Sequence, residues 1–353
     1  MQRRKPSGKD LNERQERVLY CVVKEYIIRR TPVSSSRVLE VSNIKYSSAT
    51  IRNDMKKLEY LGYLYQPHTS AGRVPTDKGY RFYVDSIKSL KENLMGSETE
   101  LDTHHTFEFV DPSIILKRAA KILAYAFRSV VAIERPRREY LRIQRIILYP
   151  LTKFHVLMTV LTELGLHVTR VVKLPKGMDV SELNELAEML NKGLFGKTLD
   201  QVKKAVSKYE PESNIWYDHR AESIFHLMFT LVEQEMEEGF EKDGLQYMIG
   251  CDQLTQQDLK GLSSILSDDG RLRDLVERLF NDRSVKIYIG SEHGVRELRN
   301  YSMVLAGYRR RDRIIGKMLV ILPKAVPYEK VLGYTEYMAN RLTEFFSSEE
   351  VLR

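Results

Sequence analysis

At 353 residues, with 42% hydrophobic and 29% charged side chains and two cysteines, the chain is long enough for two or three buried cores and offers neither a disulfide framework nor a zinc site. Its longest apolar runs, such as residues 318–322, fall far below the roughly 20 residues a spanning helix needs. The charged start MQRRKPSGKD has no apolar stretch behind it, so no secretory signal is expected and the cytoplasm is the default compartment.

The charge is unevenly placed: residues 1–91 hold 19 Lys and Arg against 9 Asp and Glu, a net of +10, while residues 92–353 carry −2. A polyanion suits such a segment, because each cation set on a phosphate releases condensed counterions. A membrane surface would want a strongly apolar helix face beside the charge, which this segment lacks.

Asn12 followed by Gln15 is a capping-box pair. Val18, Leu19, Val22, Val23, Tyr26 and Ile27 recur behind it at helical spacing, which predicts an amphipathic first helix with Cys21 as a small core residue. Pro32 stops that helix, Ser34 to Ser36 offer an N-cap for a short second helix through about Val41, and residues 42–46 form a turn. A third helix begins after Ser47 or Ser48 and ends at Gly62. At about 100° per residue, Ile51, Met55 and Leu58 share one face with Leu61 on its flank. The opposite face carries Ala49, Asn53, Lys56 and Tyr60, with Thr50 and Arg52 at its margins. Residues 63–66 then have strand propensity, 67–72 are loop chemistry and 73–75 lead back, a wing with Arg73 expected near its tip.

A helix-turn-helix touches base edges with the start of its recognition helix, so Ser47, Ser48, Ala49, Thr50, Arg52 and Asn53 are the expected readers. Arg52 suits a guanine edge, Asn53 an adenine edge, and Ala49 or the Thr50 methyl a thymine methyl. Lys56 and Lys57 are expected on phosphates, joined by His68, Thr69, Ser70 and Arg73 from the wing. No carboxylate or second histidine stands at ligand spacing beside His68, so no metal is expected there.

The helix SSATIRNDM, the leucine and glycine that close it, and the run PHTSAGR-x-PTDKGYR-x-YVD from 67 to 85 together resemble the HrcA family of heat-inducible transcription repressors. The likeness covers about residues 11–85, with a weaker echo in IYIGSE at 287–292, in 298–304 and in the strand 314–323 leading into Tyr328. It implies a homodimeric repressor of chaperone operons that binds an inverted-repeat operator, known as CIRCE, in double-stranded DNA. It further implies that the chaperonin keeps the repressor active until heat diverts it. The implied fold is a winged helix-turn-helix followed by a GAF-like domain with an inserted dimerising region. Three places depart from the family's pattern: Arg29-Arg30-Thr31 stands for a glycine-containing turn, Ser34 for a glycine, and 318–322 lacks a glycine.

Residues 92–110 lose periodicity and read as a linker after a helix over 76–94, with His104 and His105 as solvated linker residues. Pro112 opens a long amphipathic helix that ends before the Pro136 turn, and 142–149, 154–161 and 167–174 predict three strands. Helices follow over 180–194, 199–209 and 221–238. The last carries a stripe of Ile224, Phe225, Met228, Leu231 and Val232 that is either core or a dimer seam, and Trp216 before it is a packing residue or an interface anchor. Helices over 255–266 and 271–280, strands over 285–289, 303–308 and 314–322 and a closing helix over 328–346 complete the chain. Arg309 to Arg313 form the turn of the last hairpin, a charged tip that could touch DNA or an acidic partner but needs no such purpose.

The expected fold is α+β multidomain: a DNA-binding domain at 1–92, a linker at 93–110, a GAF-like antiparallel-sheet domain from 111–175 and 244–353, and an inserted helix-rich dimerising region at 176–243. No GxxxxGK[ST], post-strand GxGxxG, HExxH or GxSxG occurs, so neither catalysis nor a cofactor is expected. The expected function is negative regulation of heat-shock transcription, relieved on heat stress. The alternative is a metabolite-responsive winged-helix regulator with a small-molecule site in its C-terminal domain.

Overall fold

The computed structural model describes residues 11–42, 46–93, 111–174, 176–198, 200–202, 239–281 and 285–348. Helix α1 (Glu13–Arg29) opens with the expected capping box, Gln15 N–H donating to Asn12 Oδ1 and Asn12 N–H to Gln15 Oε1. Ser34 caps α2 (Ser35–Val41) and Ser47 caps α3 (Ser48–Tyr60). After Leu61 the chain turns at Gly62, whose φ of +77° is open to glycine without strain. Strands β1 (Leu64–Tyr65) and β2 (Val74–Pro75) pair antiparallel, and α4 (Asp77–Asn93) follows. Val18, Leu19, Val22 and Val23 of α1 close on Ile51, Met55 and Leu58 of α3, all fully buried or nearly so. Cys21 packs against this core, and burial pushes its thiol above the ordinary range.

The second half is built on a five-stranded antiparallel sheet in the order β7 (Phe240–Asp243), β3 (Val130–Glu134), β10 (Arg313–Pro323), β9 (Tyr301–Arg310), β8 (Lys286–Ile289). Alternate residues feed two cores. Val131, Ile133, Val304, Ala306, Met318 and Val320 pack under α5 (Pro112–Phe127) and α10 (Tyr328–Ser347). Val130, Ala132, Met303, Leu305, Leu319 and Ile321 pack under α8 (Gln256–Leu266) and α9 (Asp269–Leu279). A sheet covered on both faces reads as a continuous apolar run with no alternation, which is why β3, a five-residue strand buried throughout, is absent from the sequence prediction.

Strands β4 (Ile143–Pro150), β5 (His155–Thr162) and β6 (His167–Lys173) form the expected meander, but as a sheet of their own. Helix α6 (Val180–Leu194) covers it, Asn191 Nδ2 donating to Ile146 O and Asn191 Oδ1 accepting from Ile146 N, both at 2.8 Å. The expected split joined these strands to the larger sheet and left residues 240–243 in the insertion. The ladders run otherwise: β7 pairs with β3, and β4 to β6 pair only with one another. Residues 245–248 are a single helical turn, α7 (Leu245–Met248). The linker expected at 93–110 begins at the last residue of α4, Asn93; the rest of it, the helices beyond 202, and Trp216 lie outside the described residues. Among the described residues no helix is long and apolar enough to cross a membrane.

Candidate nucleic-acid interface

Helix α3 is amphipathic along its length, and its two faces are held in different ways. Underneath, Ile51, Met55 and Leu58 are buried together with Asp54. Asp54 receives a two-pronged bond from Arg14 of α1, Nε to Oδ2 at 2.6 Å and the second guanidinium nitrogen to Oδ1 at 3.2 Å. That acid raises the Arg14 pKa above its ordinary value, and Arg14 also lies 4.9 Å from the centre of the Tyr46 ring. The sequence reading missed this clamp; its signal was an acid three residues after Ile51, on the apolar stripe.

Above, Ser47, Ala49, Arg52, Asn53, Lys56 and Lys57 are exposed and Thr50 is half-buried. Ser47 Oγ accepts the Thr50 N–H at 3.2 Å and lies 2.9 Å from Thr50 Oγ1, so both hydroxyls take part in capping. Ser48, half-buried, shares a 3.1 Å bond with Ser35 of α2, which pins the start of α3 to its neighbour. Lys57 reaches over the Tyr60 ring at 5.3 Å.

The loop between β1 and β2 is closed by one side chain. Gln66 Nε2 donates to Thr69 O at 2.8 Å and to Ala71 O at 2.9 Å, and Ala71 N donates to His68 O at 2.9 Å. His68, Thr69 and Ser70 stand exposed on the closed loop. Arg73, expected near the tip, lies instead at the root, where its backbone exchanges two hydrogen bonds with Val33. Its guanidinium meets Glu59 of α3 at 2.9 Å and its side chain is only 11% exposed. Nothing local in the sequence announces its bridge to Val33. Arg52, Lys56, Thr69, Ser70 and Arg73 line one cleft between α3, the start of α2 and the loop; Ser47, Ser48, Ala49, Thr50, Asn53, Lys57 and His68 do not.

Elsewhere, Arg310 in the last hairpin is paired with Glu163 at 2.7 Å, and Arg309 donates to Asp312 O. This ties the charged tip to the three-stranded sheet. Among the described residues no three His, Cys, Asp or Glu side chains gather as a metal site.

A family model described as the HrcA protein C terminal domain matches residues 113–332. The chain is 37% identical over 340 residues to the heat-inducible transcription repressor HrcA of Thermotoga neapolitana, with 96% of each chain covered. It is 32% identical over 341 residues to that of Symbiobacterium thermophilum, covering 95% of this chain and 98% of the other. A crystal structure described as that of a hypothetical protein at 2.2 Å resolution is similar at a TM-score of 0.76 and 35% identity, covering 96% of this chain and 99% of that one. The chain belongs to the HrcA family of heat-inducible transcription repressors.

Proposed function

We propose that this repressor grips duplex DNA with a winged helix-turn-helix formed by residues 11–93, α3 entering the major groove and the Gln66 loop serving as the wing. It acts as a homodimer on the CIRCE inverted repeat upstream of chaperone operons, in the cytoplasm, and lets go on heat stress, with the chaperonin as its regulator. The observation that carries this reading is the polar, exposed upper face of α3, held rigid from below and facing a cleft with the loop. Arg52 and Asn53 are the base readers, with Ala49 and Thr50 beside them. Ser47 and Ser48 set the helix start, Lys56, Lys57, His68, Thr69 and Ser70 hold phosphates, and Arg73 braces the wing against Glu59. The remaining chain divides into a GAF-like domain built on the five-stranded sheet and an inserted dimerising region that begins near 141, with β4, and ends before β7.

The test is equilibrium binding of the purified chain to a duplex carrying the inverted repeat and to a scrambled duplex, at two salt concentrations. The repeat is expected to bind about 1,000-fold tighter or more. Arg52→Ala is expected to lose about 1–3 kcal/mol of that discrimination. Equal, steeply salt-dependent binding to both duplexes would reduce the reading to a basic surface without a target.

A further inference from the structure

The run PTDKGYR-x-YVD, which reads in the sequence as the end of the wing and the start of the helix over 76–94, has another use in the folded chain. From Asp77 onward it forms α4, and Asp77, Arg81 and Tyr83 meet the C-terminal half. The Asp77 carboxylate accepts the Ser291 N–H at 2.9 Å, the Ser291 hydroxyl at 3.0 Å and Lys324 Nζ at 2.8 Å. Arg81 grips both oxygens of Glu292 and donates to Ile287 O at 2.8 Å. Tyr83 donates to Glu329 Oε1 at 2.6 Å, and the Tyr80 ring stands edge-on to Tyr328 at 6.1 Å.

These contacts reach three separate places: strand β8 with the turn after it, the segment that follows β10, and the start of α10. At Gly290 the backbone runs so close that a Cβ would fall 2.2 Å from Asp77 Oδ2, so the carboxylate is seated against bare main chain. Tyr83 also lies against the Tyr20 ring of α1, 4.8 Å between centres, and none of the α3 readers takes part. A helix held at three places by half-buried charge pairs and a fully buried tyrosine has one orientation, not a range of them.

We infer that this joint fixes the orientation of the reading helix on the C-terminal half, and that Asp77, Arg81 and Tyr83 are positioning residues that decide which half-site spacing the dimer accepts. The inference rests on the proposed dimeric reading of an inverted repeat. Two reading helices must enter major grooves whose azimuth turns once in about 10 base pairs. Rigidly carried units match one phase of that rotation, whereas units freed from the joint bind two half-sites with an avidity that depends weakly on phase.

The experiment uses the full chain and three duplexes: the inverted repeat, the same repeat with about five base pairs inserted between half-sites, which is half a helical turn, and a single half-site. The wild-type chain is expected to prefer the first to the second by about tenfold or more, and Arg81→Glu and Glu292→Arg each to cut that ratio to about threefold or less. Both variants are expected to keep wild-type affinity for the single half-site, and the combined Arg81→Glu, Glu292→Arg chain to regain the phase preference. Glu292 lies outside the DNA-binding unit, so its variant leaves that unit's fold intact even where Arg81→Glu disturbs it. A single variant that keeps the full phase preference overturns the inference, as does one that binds the in-phase repeat more tightly than wild type. Loss of half-site binding by Glu292→Arg also overturns it. A wild-type chain with no preference for repeat or half-site over random duplex defeats the repressor reading itself, and the inference with it.

Discussion

Gln66 offers the sharpest test of how the loop beside α3 works. Its amide closes the loop by two N–H···O bonds of 2.8 and 2.9 Å to Thr69 O and Ala71 O, at a half-buried position. Such bonds contribute about 0.5–1.5 kcal/mol each in water, and partial exposure argues for the lower half of that range, so closure is stabilised by about 1–2 kcal/mol. A loop that is open in the free protein must be ordered at the moment of binding, so the same sum is subtracted from affinity. Gln66→Ala is therefore expected to weaken operator binding about 5- to 30-fold, by the rule that 1.4 kcal/mol is tenfold. Gln66→Glu should be weaker still, because a carboxylate faces two carbonyl oxygens and then the phosphates, and the extra loss should grow at low salt. Fluorescence anisotropy on the inverted repeat reads both effects, and the melting midpoint controls for damage to the fold. If Gln66→Ala bound as tightly as wild type at an unchanged midpoint, closure of the loop would have no part in recognition.

Three further outcomes are expected. Lys56→Ala should lower the slope of log affinity against log salt by about one, as loss of a phosphate contact does, while Arg73→Ala should leave the slope unchanged, since its charge is committed to Glu59. Leu58→Ala removes a fully buried side chain from the α1–α3 core and should destabilise the chain by about 2–5 kcal/mol, seen as a lower denaturant midpoint. His293 is buried, with Nε2 on Leu298 O, Nδ1 accepting from Val295 N, and Asp77 and Arg278 as its charged neighbours. Burial holds its pKa below the ordinary 6.5, so below that pH the unfolded chain binds more protons than the folded one. Stability should therefore fall as pH drops from 6.5 through the folded pKa, and His293→Gln should flatten that segment of the curve in a melting series.

Much of this molecule can be read from the chain where one face of an element is wet. The capping pair Asn12 and Gln15, the serine caps at 34 and 47 and the 3.6-residue pattern of α3 all appear where local chemistry places them. The meander β4 to β6 is legible too, because its strands alternate: Val156, Met158 and Val160 are buried and their neighbours are not. Legibility ends where both faces are covered or where a partner is distant in sequence. Strand β3 shows no alternation, and the membership of β7 depends on a ladder to residues more than a hundred positions earlier. Of the candidate interface, exposure along α3 follows from the helix period. The burial of Arg73 follows from Glu59 and Val33, which no local pattern announces.

The first of the two cores, which starts at Leu11, reaches Phe346 through Tyr83 and the first turns of α10. Elements that share such a core are expected to melt together, and the sharpness of a melting transition is set by the enthalpy of whatever melts together. With about 0.7 kcal/mol per residue, a unit of some 80 residues melting alone would pass from one-tenth to nine-tenths unfolded over roughly 17 °C. The whole chain melting as one body would make the same passage in roughly 4 °C. Joining the small unit proposed to bind DNA to a large sheet is thus expected to give it the steepness of the larger body, with unfolding confined to a few degrees. Scanning calorimetry would expose the opposite arrangement as two separate peaks.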